Sequence, residues 1–422
     1  MKPVWRHLLI AGLAGSVLAA GVALALAWEP AIGRVPRPDP AGFDPAIVAR
    51  GATLATIGDC AVCHTAPSGA PYAGGRALGT PFGTLYATNI TPDEATGLGN
   101  WSPAAFRRAM KDGVRRDGEH LYPALPYEHF THVRDDDLDA IYAFLMTRRA
   151  VDSPAPPNAL IPPLGFRPLL AGWKLLFLHR GPVEPVPERG EAWNRGAYLV
   201  EGLGHCGGCH TPRNLAGGEQ GRRSLAGGVA EGWNAPPLDG SAGGWSIDAL
   251  VTYLGTGLHS SRGVAAGPMG PVTEGLSQVP AEDLRAIATY IASRTGNAAP
   301  VPVQERAEEA ARAHPEGAGL FAGACAACHG GGAPMLARNR PGLGTATPIL
   351  AADPRNAIQA VLQGIPAPVG PDRPFMPPFS DALGDRQLAE ILAYARARFT
   401  AEPPWRDLQE SVTRIRKENT RP

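Results

Sequence analysis

The pentapeptide Cys60-Ala61-Val62-Cys63-His64 returns as Cys206-Gly207-Gly208-Cys209-His210 and again as Cys325-Ala326-Ala327-Cys328-His329. Together the three copies use all 6 cysteines of the 422-residue chain. Two thiols three positions apart can each form a thioether to one haem, and the adjoining imidazole then reaches the iron from one side. Cys-x-x-Cys-His is therefore the attachment pattern of c-type haem. Competing readings fit less well. A disulfide framework has no reason to set histidine behind every second cysteine. A structural zinc site closes on four ligands, and each cluster supplies three. A thioredoxin-like pair belongs to an α/β pattern and would not occur three times. The residues thus imply three covalently bound haem c groups. Cys60, Cys63, Cys206, Cys209, Cys325 and Cys328 are the attachment points, and His64, His210 and His329 the proximal iron ligands.

Outward from each motif the sequence repeats itself. A helix-like segment with a glycine precedes each one: Gly51 in VARGATLATIGDC, Gly196 in WNRGAYLVEGLGHC and Gly317 in EGAGLFAGAC. An amphipathic pattern closes each repeat: DDLDAIYAFL (136–145), EDLRAIATYI (282–291) and RQLAEILAYA (386–395). Leu138, Leu284 and Leu388 align, as do Ile141, Ile287 and Ile391, then Phe144, Tyr290 and Tyr394. Spacing of i, i+3, i+6 puts each set on one helix face. From first cysteine to closing aromatic the distance is 84, 84 and 69 residues. Middle helices are expected from Trp101, Trp245 and Asp353, with Ser102, Ser246 and Asp353 at the N-cap and glycine near each C-terminal end.

This order of elements resembles the class I cytochrome c domain, in which the first and last helices cross at the glycine beside one haem edge. The resemblance implies an all-α fold: three tandem class I cytochrome c-like domains after an N-terminal transmembrane or signal helix. Proline-rich connectors set the expected boundaries. These are an N-terminal segment 1–28, domain one 44–150, a connector 151–191, domain two 192–295, a linker 296–316, domain three 317–400 and a tail 401–422. The connector holds an apolar insert, PLLAGWKLLFL (168–178), which reads either as a short packed helix or as a surface for lipid or a partner subunit. In the tail, Trp405, Leu408, Val412 and Ile415 make a short stripe beside Arg414, Arg416 and Lys417, which reads as a frayed terminal helix before a surface that docks on a partner.

Methionine is the usual sixth ligand of an electron-transferring c-type haem, because a thioether keeps the iron low-spin and raises its potential. Met269 lies 59 residues after His210 and Met376 lies 47 after His329, both beside proline, which stiffens the loop. Both are expected iron ligands. In the first repeat the matching place, 61 residues after His64, holds Leu125. Leucine cannot coordinate iron. The first iron is then either five-coordinate or served by a neighbour, His129 before His120. Met110, Met146 and Met335 read as packing residues, and His205 as a surface or haem-edge residue.

Lys+Arg and Asp+Glu balance at 39 each, which removes the electrostatic case for nucleic acid. Lys2 and Arg6 precede an uncharged run from Leu8 to Trp28, long enough as a helix to span roughly 31 Å. The basic flank would stay in the cytoplasm, leaving the rest on the periplasmic face of the bacterial inner membrane. The run's length favours a retained anchor, while Ala25-Leu26-Ala27 also fits a signal-cleavage site.

Beyond the haem motifs, FGTLYATNITPDEATGLGNWS (82–102), HLYPALPY (120–127), CGGCHTPRN (206–214) and AGPM (266–269) resemble the triple-haem membrane-bound cytochrome c subunits of bacterial periplasmic dehydrogenases. Many members carry YPAMPY where this chain has YPALPY. The leucine variant, with NRGAYLVEGLGHCGGCH and VAAGPM, looks most like cytochrome partners of molybdenum hydroxylases. The resemblance implies an electron-transfer subunit that is no enzyme in isolation. It would serve a molybdenum hydroxylase acting on an aldehyde or N-heterocycle and deliver electrons to ubiquinone or another respiratory acceptor. A quinoprotein alcohol dehydrogenase or flavoprotein gluconate dehydrogenase is the alternative partner. A peroxidase-like multihaem enzyme with an open first haem is the alternative of another class. Neither a dinucleotide fingerprint nor a nucleophile constellation occurs in the chain.

Overall fold

Asp44 opens the helix Pro45–Ile57 by accepting the Ala46 amide, with proline at the first helical position, where its missing N–H costs nothing. In the computed structural model this helix crosses the closing helix Asp135–Met146 at Gly51. A Cβ on Gly51 would lie 1.9 Å from the Ala140 carbonyl oxygen and 2.9 Å from Phe144 Cβ. Only a residue without a side chain lets the two backbones approach so closely. The crossing recurs where Gly190–Tyr198 meets Ala281–Thr295: a Cβ on Gly196 would lie 2.0 Å from Ala286 O. It recurs again between Pro315–Ala324 and Asp385–Phe399, with 2.2 Å from Gly317 to Glu390 O.

The structure describes residues 27–241, 243–296, 305–333, 341–365 and 376–419, together with 7, 13–15, 21, 22, 24 and 25. Most of the Leu8–Trp28 run lies outside these, as does Met335. Among the described residues no helix is long and apolar enough to cross a membrane. The chain divides into two units: 1–184 with 201–205, and 185–200 with 206–422.

A charged pair guards each crossing. Arg50, just before Gly51, meets Asp137 at 2.5 Å, and Arg195, just before Gly196, meets Asp283 at 2.7 Å. In the third repeat the signs are exchanged: Glu316 precedes Gly317 and is met by Arg386 at 2.6 Å. Core packing behind the crossings comes from the aligned positions. Leu138, Ile141, Leu284, Ile287, Leu388 and Ile391 are all buried. Met110 and Met146 are buried as packing residues, as expected.

The middle helices follow the sequence reading closely. Ser102 accepts the Ala105 amide, Ser246 accepts the Ala249 amide, and Gly113 and Gly257 close the helices at φ 60° and 70°. The third differs by one position: Pro354 is the N-cap of Arg355–Gln363, and Asp353 accepts the Arg355 amide from just outside it. Short strands interrupt the helical fold. Ala77–Thr80 pairs antiparallel with Gly83–Tyr86, which also pairs with Ala159–Leu160. In the second unit Gly228–Ala230 pairs with Trp233–Ala235.

The terminal segment corrects an expectation. Leu408–Asn419 is not frayed: Val412 and Ile415 are fully buried among Ile358, Leu362, Leu388 and Leu392. Arg416 pairs with Asp385 at 2.7 Å, and the Trp405 indole donates to Ala351 O at 2.9 Å. Burying the stripe removes apolar area from water at about 25 cal/mol per Å², enough to outweigh fraying.

Candidate haem-attachment sites

Each Cys-x-x-Cys-His forms one helical turn. The turns are Cys60–Cys63, with His64 as its C-cap, Gly207–His210 and Ala326–His329. A turn brings the two thiols of a pair onto one side and sets the histidine just beyond them. No pair is joined as a disulfide. Burial pushes the Cys60 thiol up to about 12 and Cys325 up to about 11. Beside Cys60, burial also raises the Asp59 carboxyl to about 7.

Two of the three proximal histidines, His64 and His210, are held at both ends. His64 Nδ1 donates to Thr88 O at 2.6 Å, while the His64 carbonyl accepts the Gly74 amide at 2.8 Å. His210 repeats the arrangement, with Nδ1 to Pro236 O at 2.7 Å and its carbonyl accepting the Gly227 amide at 2.8 Å. A carbonyl can only accept, so Nδ1 carries the proton and Nε2 is the nitrogen with a lone pair for iron. Burial holds all three imidazoles, His329 included, below their ordinary pKa, which favours the neutral form that binds metal. The Thr88 carbonyl is fixed in turn by its neighbour. Asn89 is buried, donates to Thr96 Oγ1 and Val151 O, and accepts from the Thr91 amide. The Asn89-Ile90-Thr91 loop is thus a support for His64.

The residues expected to supply the sixth ligands differ in setting. Met269 is half-buried at the first position of the helix Met269–Leu276. Met376 is also half-buried, but it lies on a bridge between two extended segments, exchanging two backbone hydrogen bonds with Ile365 at 2.8 and 2.9 Å. In the first repeat Leu125 sits in a tight turn, its amide on Tyr122 O at 3.1 Å.

The two histidines weighed for the first iron have different partners. His120 is committed through both ring nitrogens: Nε2 to Ala27 O at 2.8 Å, and Nδ1 to Lys174 Nζ at 2.9 Å. Both ring nitrogens of His120 are thus engaged with the protein. His129 is buried in the short helix Tyr127–Phe130, with Nδ1 donating to Glu201 O at 2.8 Å. This bond selects the tautomer with its lone pair on Nε2. Sequence reasoning missed the partner of that bond. Residues 201–205 belong by sequence to the second repeat, yet they pack in the first unit, with the His205 ring 5.6 Å from that of Phe130. His205 is half-buried there, its ring edge-on to Phe130.

Helical folding, one-turn thiol pairs and carbonyl-tied histidines define a protein that carries covalently bound haem. Comparison with known proteins agrees. The family description Cytochrome c matches residues 48–149, and Cytochrome C oxidase, cbb3-type, subunit III matches residues 312–394. A nicotinate dehydrogenase subunit of Pseudomonas putida is 46% identical over 98% of this chain, and the chain spans 35% of that relative's length. The gluconate 2-dehydrogenase cytochrome c subunit of Pantoea cypripedii is 35% identical, covering 89% of this chain and 90% of its own. The alcohol dehydrogenase (quinone) cytochrome c subunit of Gluconacetobacter polyoxogenes is 33% identical, covering 88% and 85%. The chain belongs to the family of multihaem cytochrome c subunits of dehydrogenase complexes. It is an electron-transfer component rather than a catalytic enzyme in its own right.

Proposed function

We propose that this subunit carries three haem c groups in three domains and receives electrons from a molybdenum-hydroxylase-type dehydrogenase whose substrate is an N-heterocycle or an aldehyde. The single observation that carries the partner assignment is the level of similarity. Identity is 46% to a subunit named for nicotinate dehydrogenase, against 35% and 33% to subunits named for gluconate and alcohol dehydrogenases. Electrons leave to the respiratory chain, with ubiquinone as acceptor. The domains lie on the periplasmic face of the inner membrane, and the Leu8–Trp28 run anchors them there.

Haem, when bound, supplies one-electron redox chemistry, and the protein sets axial ligation and burial. Cys60, Cys63, Cys206, Cys209, Cys325 and Cys328 hold the groups by thioethers, and His64, His210 and His329 present Nε2. Met269 and Met376 complete the second and third sites. His129 serves the first, which would then sit at lower potential than its methionine-ligated neighbours. The carbonyl bonds at His64 and His210 support these roles, because they orient each ring before iron is present.

Purification from native membranes in mild detergent, with molybdenum assayed in the haem-containing fraction, tests the assignment. Stoichiometric molybdenum is expected. A large subunit without molybdenum would move the partner to a quinoprotein or flavoprotein.

A further inference from the structure

The helix Leu169–Phe177 is built inside out. Its one charged residue, Lys174, is 5% exposed, whereas Leu169, Leu175 and Leu176 are 48%, 88% and 68% exposed. At 100° per residue, Leu169, Gly172, Leu175 and Leu176 fall on one arc, opposite Lys174. Inward, Trp173 packs edge-on against Tyr127 at 6.0 Å, and Lys174 Nζ donates to Gly113 O at 2.7 Å and meets His120 Nδ1. The orientation is therefore held by specific bonds. A helix facing only water would turn its lysine out and its leucines in. Phe166 and Ile161, 52% and 54% exposed, lie just before it in the chain.

The same loop that holds Lys174 also holds the end of the N-terminal apolar run. His120 Nε2 meets Ala27 O and the Ile32 amide donates to Arg116 O at 2.7 Å, while Arg108, on the helix just before the loop, donates to Pro30 O at 2.6 Å. His120 thus bridges Ala27, one residue before the end of the apolar run, to Lys174 on the inverted helix. Wherever the apolar run enters lipid, the leucine face is tied beside that point.

We propose that the Leu169–Phe177 helix rests in the lipid surface that receives the N-terminal segment, as a second, interfacial membrane contact. Leu169, Leu175 and Leu176 are immersed, and Lys174 locks the helix to the protein. The proposal rests on the anchored reading of the Leu8–Trp28 run. The exposed arc of Leu169, Gly172, Leu175 and Leu176 carries no polar side chain, which suits acyl chains rather than a polar-rimmed partner.

The test is photo-crosslinking of the full chain in nanodiscs of phosphatidylethanolamine and phosphatidylglycerol. The photoreactive residue p-benzoylphenylalanine replaces Leu176, Leu24 or Val229 in separate preparations, each checked for full haem content. Val229 is a control, 64% exposed on a strand far in sequence from the helix. Lipid adducts at positions 176 and 24 with none at 229 are expected. Adducts at 24 without 176 would overturn the helix contact and leave the anchor standing. Adducts at 176 without 24 would keep the helix contact and remove the anchor. A protein adduct at 176, or equal lipid labelling at 229, would also overturn the proposal.

Discussion

Asn356 grips the backbone of Asn234 from both directions, accepting its amide at 2.8 Å and donating to its carbonyl at 2.7 Å. Two residues further on, Pro236 O receives the Nδ1 proton of His210. The first unit has a counterpart. Asn158 accepts the Tyr86 amide at 2.9 Å, and two residues beyond Tyr86 the Thr88 carbonyl receives the proton of His64. In both units an asparagine from another segment steadies the strand whose extension orients a proximal histidine.

Asn356→Ala should therefore do more than weaken the fold. Two hydrogen bonds at about 0.5–1.5 kcal/mol each predict a loss of about 1–3 kcal/mol, measured by denaturant unfolding. The midpoint potential of one haem should shift as well, while the others hold. A stability loss with every potential unchanged would show that the grip is structural only.

Gly196→Ala sets a methyl 2.0 Å from a backbone oxygen that cannot move without shifting a 15-residue helix. Overpacking of this kind costs about 1–3 kcal/mol or more. The expected outcome is a poorly folded second repeat and haem content falling towards two per chain by pyridine haemochrome assay. Gly319→Ala, in open space on the opening helix of the third repeat, should leave stability and haem content unchanged.

Met269→Leu and Met376→Leu should each abolish one sulfur-to-iron charge-transfer band without loss of covalent haem. Leu125→Met should add one once His129→Ala has opened the first site. His129→Ala should produce a high-spin signal from the first haem, and an unchanged spectrum would remove His129 from the ligand set.

Lys174 supplies a pH signature. Burial lowers its pKa from 10.5 to about 7, with Asp112 and Glu29 opposing the shift and Arg180 adding to it. His120 and Tyr127 also face the amine. Between those two values the unfolded chain keeps the proton and the folded chain does not, so stability rises with pH across the window. The slope is at most about 1.4 kcal/mol per pH unit. Lys174→Met should flatten that part of the stability profile, measured by urea unfolding at pH 7, 8.5 and 10.

Local chemistry made much of this legible. Glycine before a motif, serine at a helix start and aligned Leu-Ile-aromatic positions each state their own requirement, and the structure meets all of them. Contacts across long sequence distances were not legible. Nothing in HLYPALPYEHF indicates that His120 is taken by Ala27, or that His129 leans on Glu201, because such bonds depend on which segments meet. The docked helix Leu408–Asn419 was missed for the same reason: its stripe of four apolar residues is short, and only the groove that covers it makes it stable.

The exchanged charges at the third crossing bear on how three similar modules avoid confusing their parts. An opening helix carrying Glu316-Gly317, laid against either of the other closing helices, would bring a carboxylate to Asp136 or Glu282 in place of Arg386. Arg50 or Arg195 laid on the third closing helix would meet a guanidinium. Repulsion at the tightest point of the crossing works as an address for the third pair of helices, keeping it from exchanging partners with the first two, whose signs are alike.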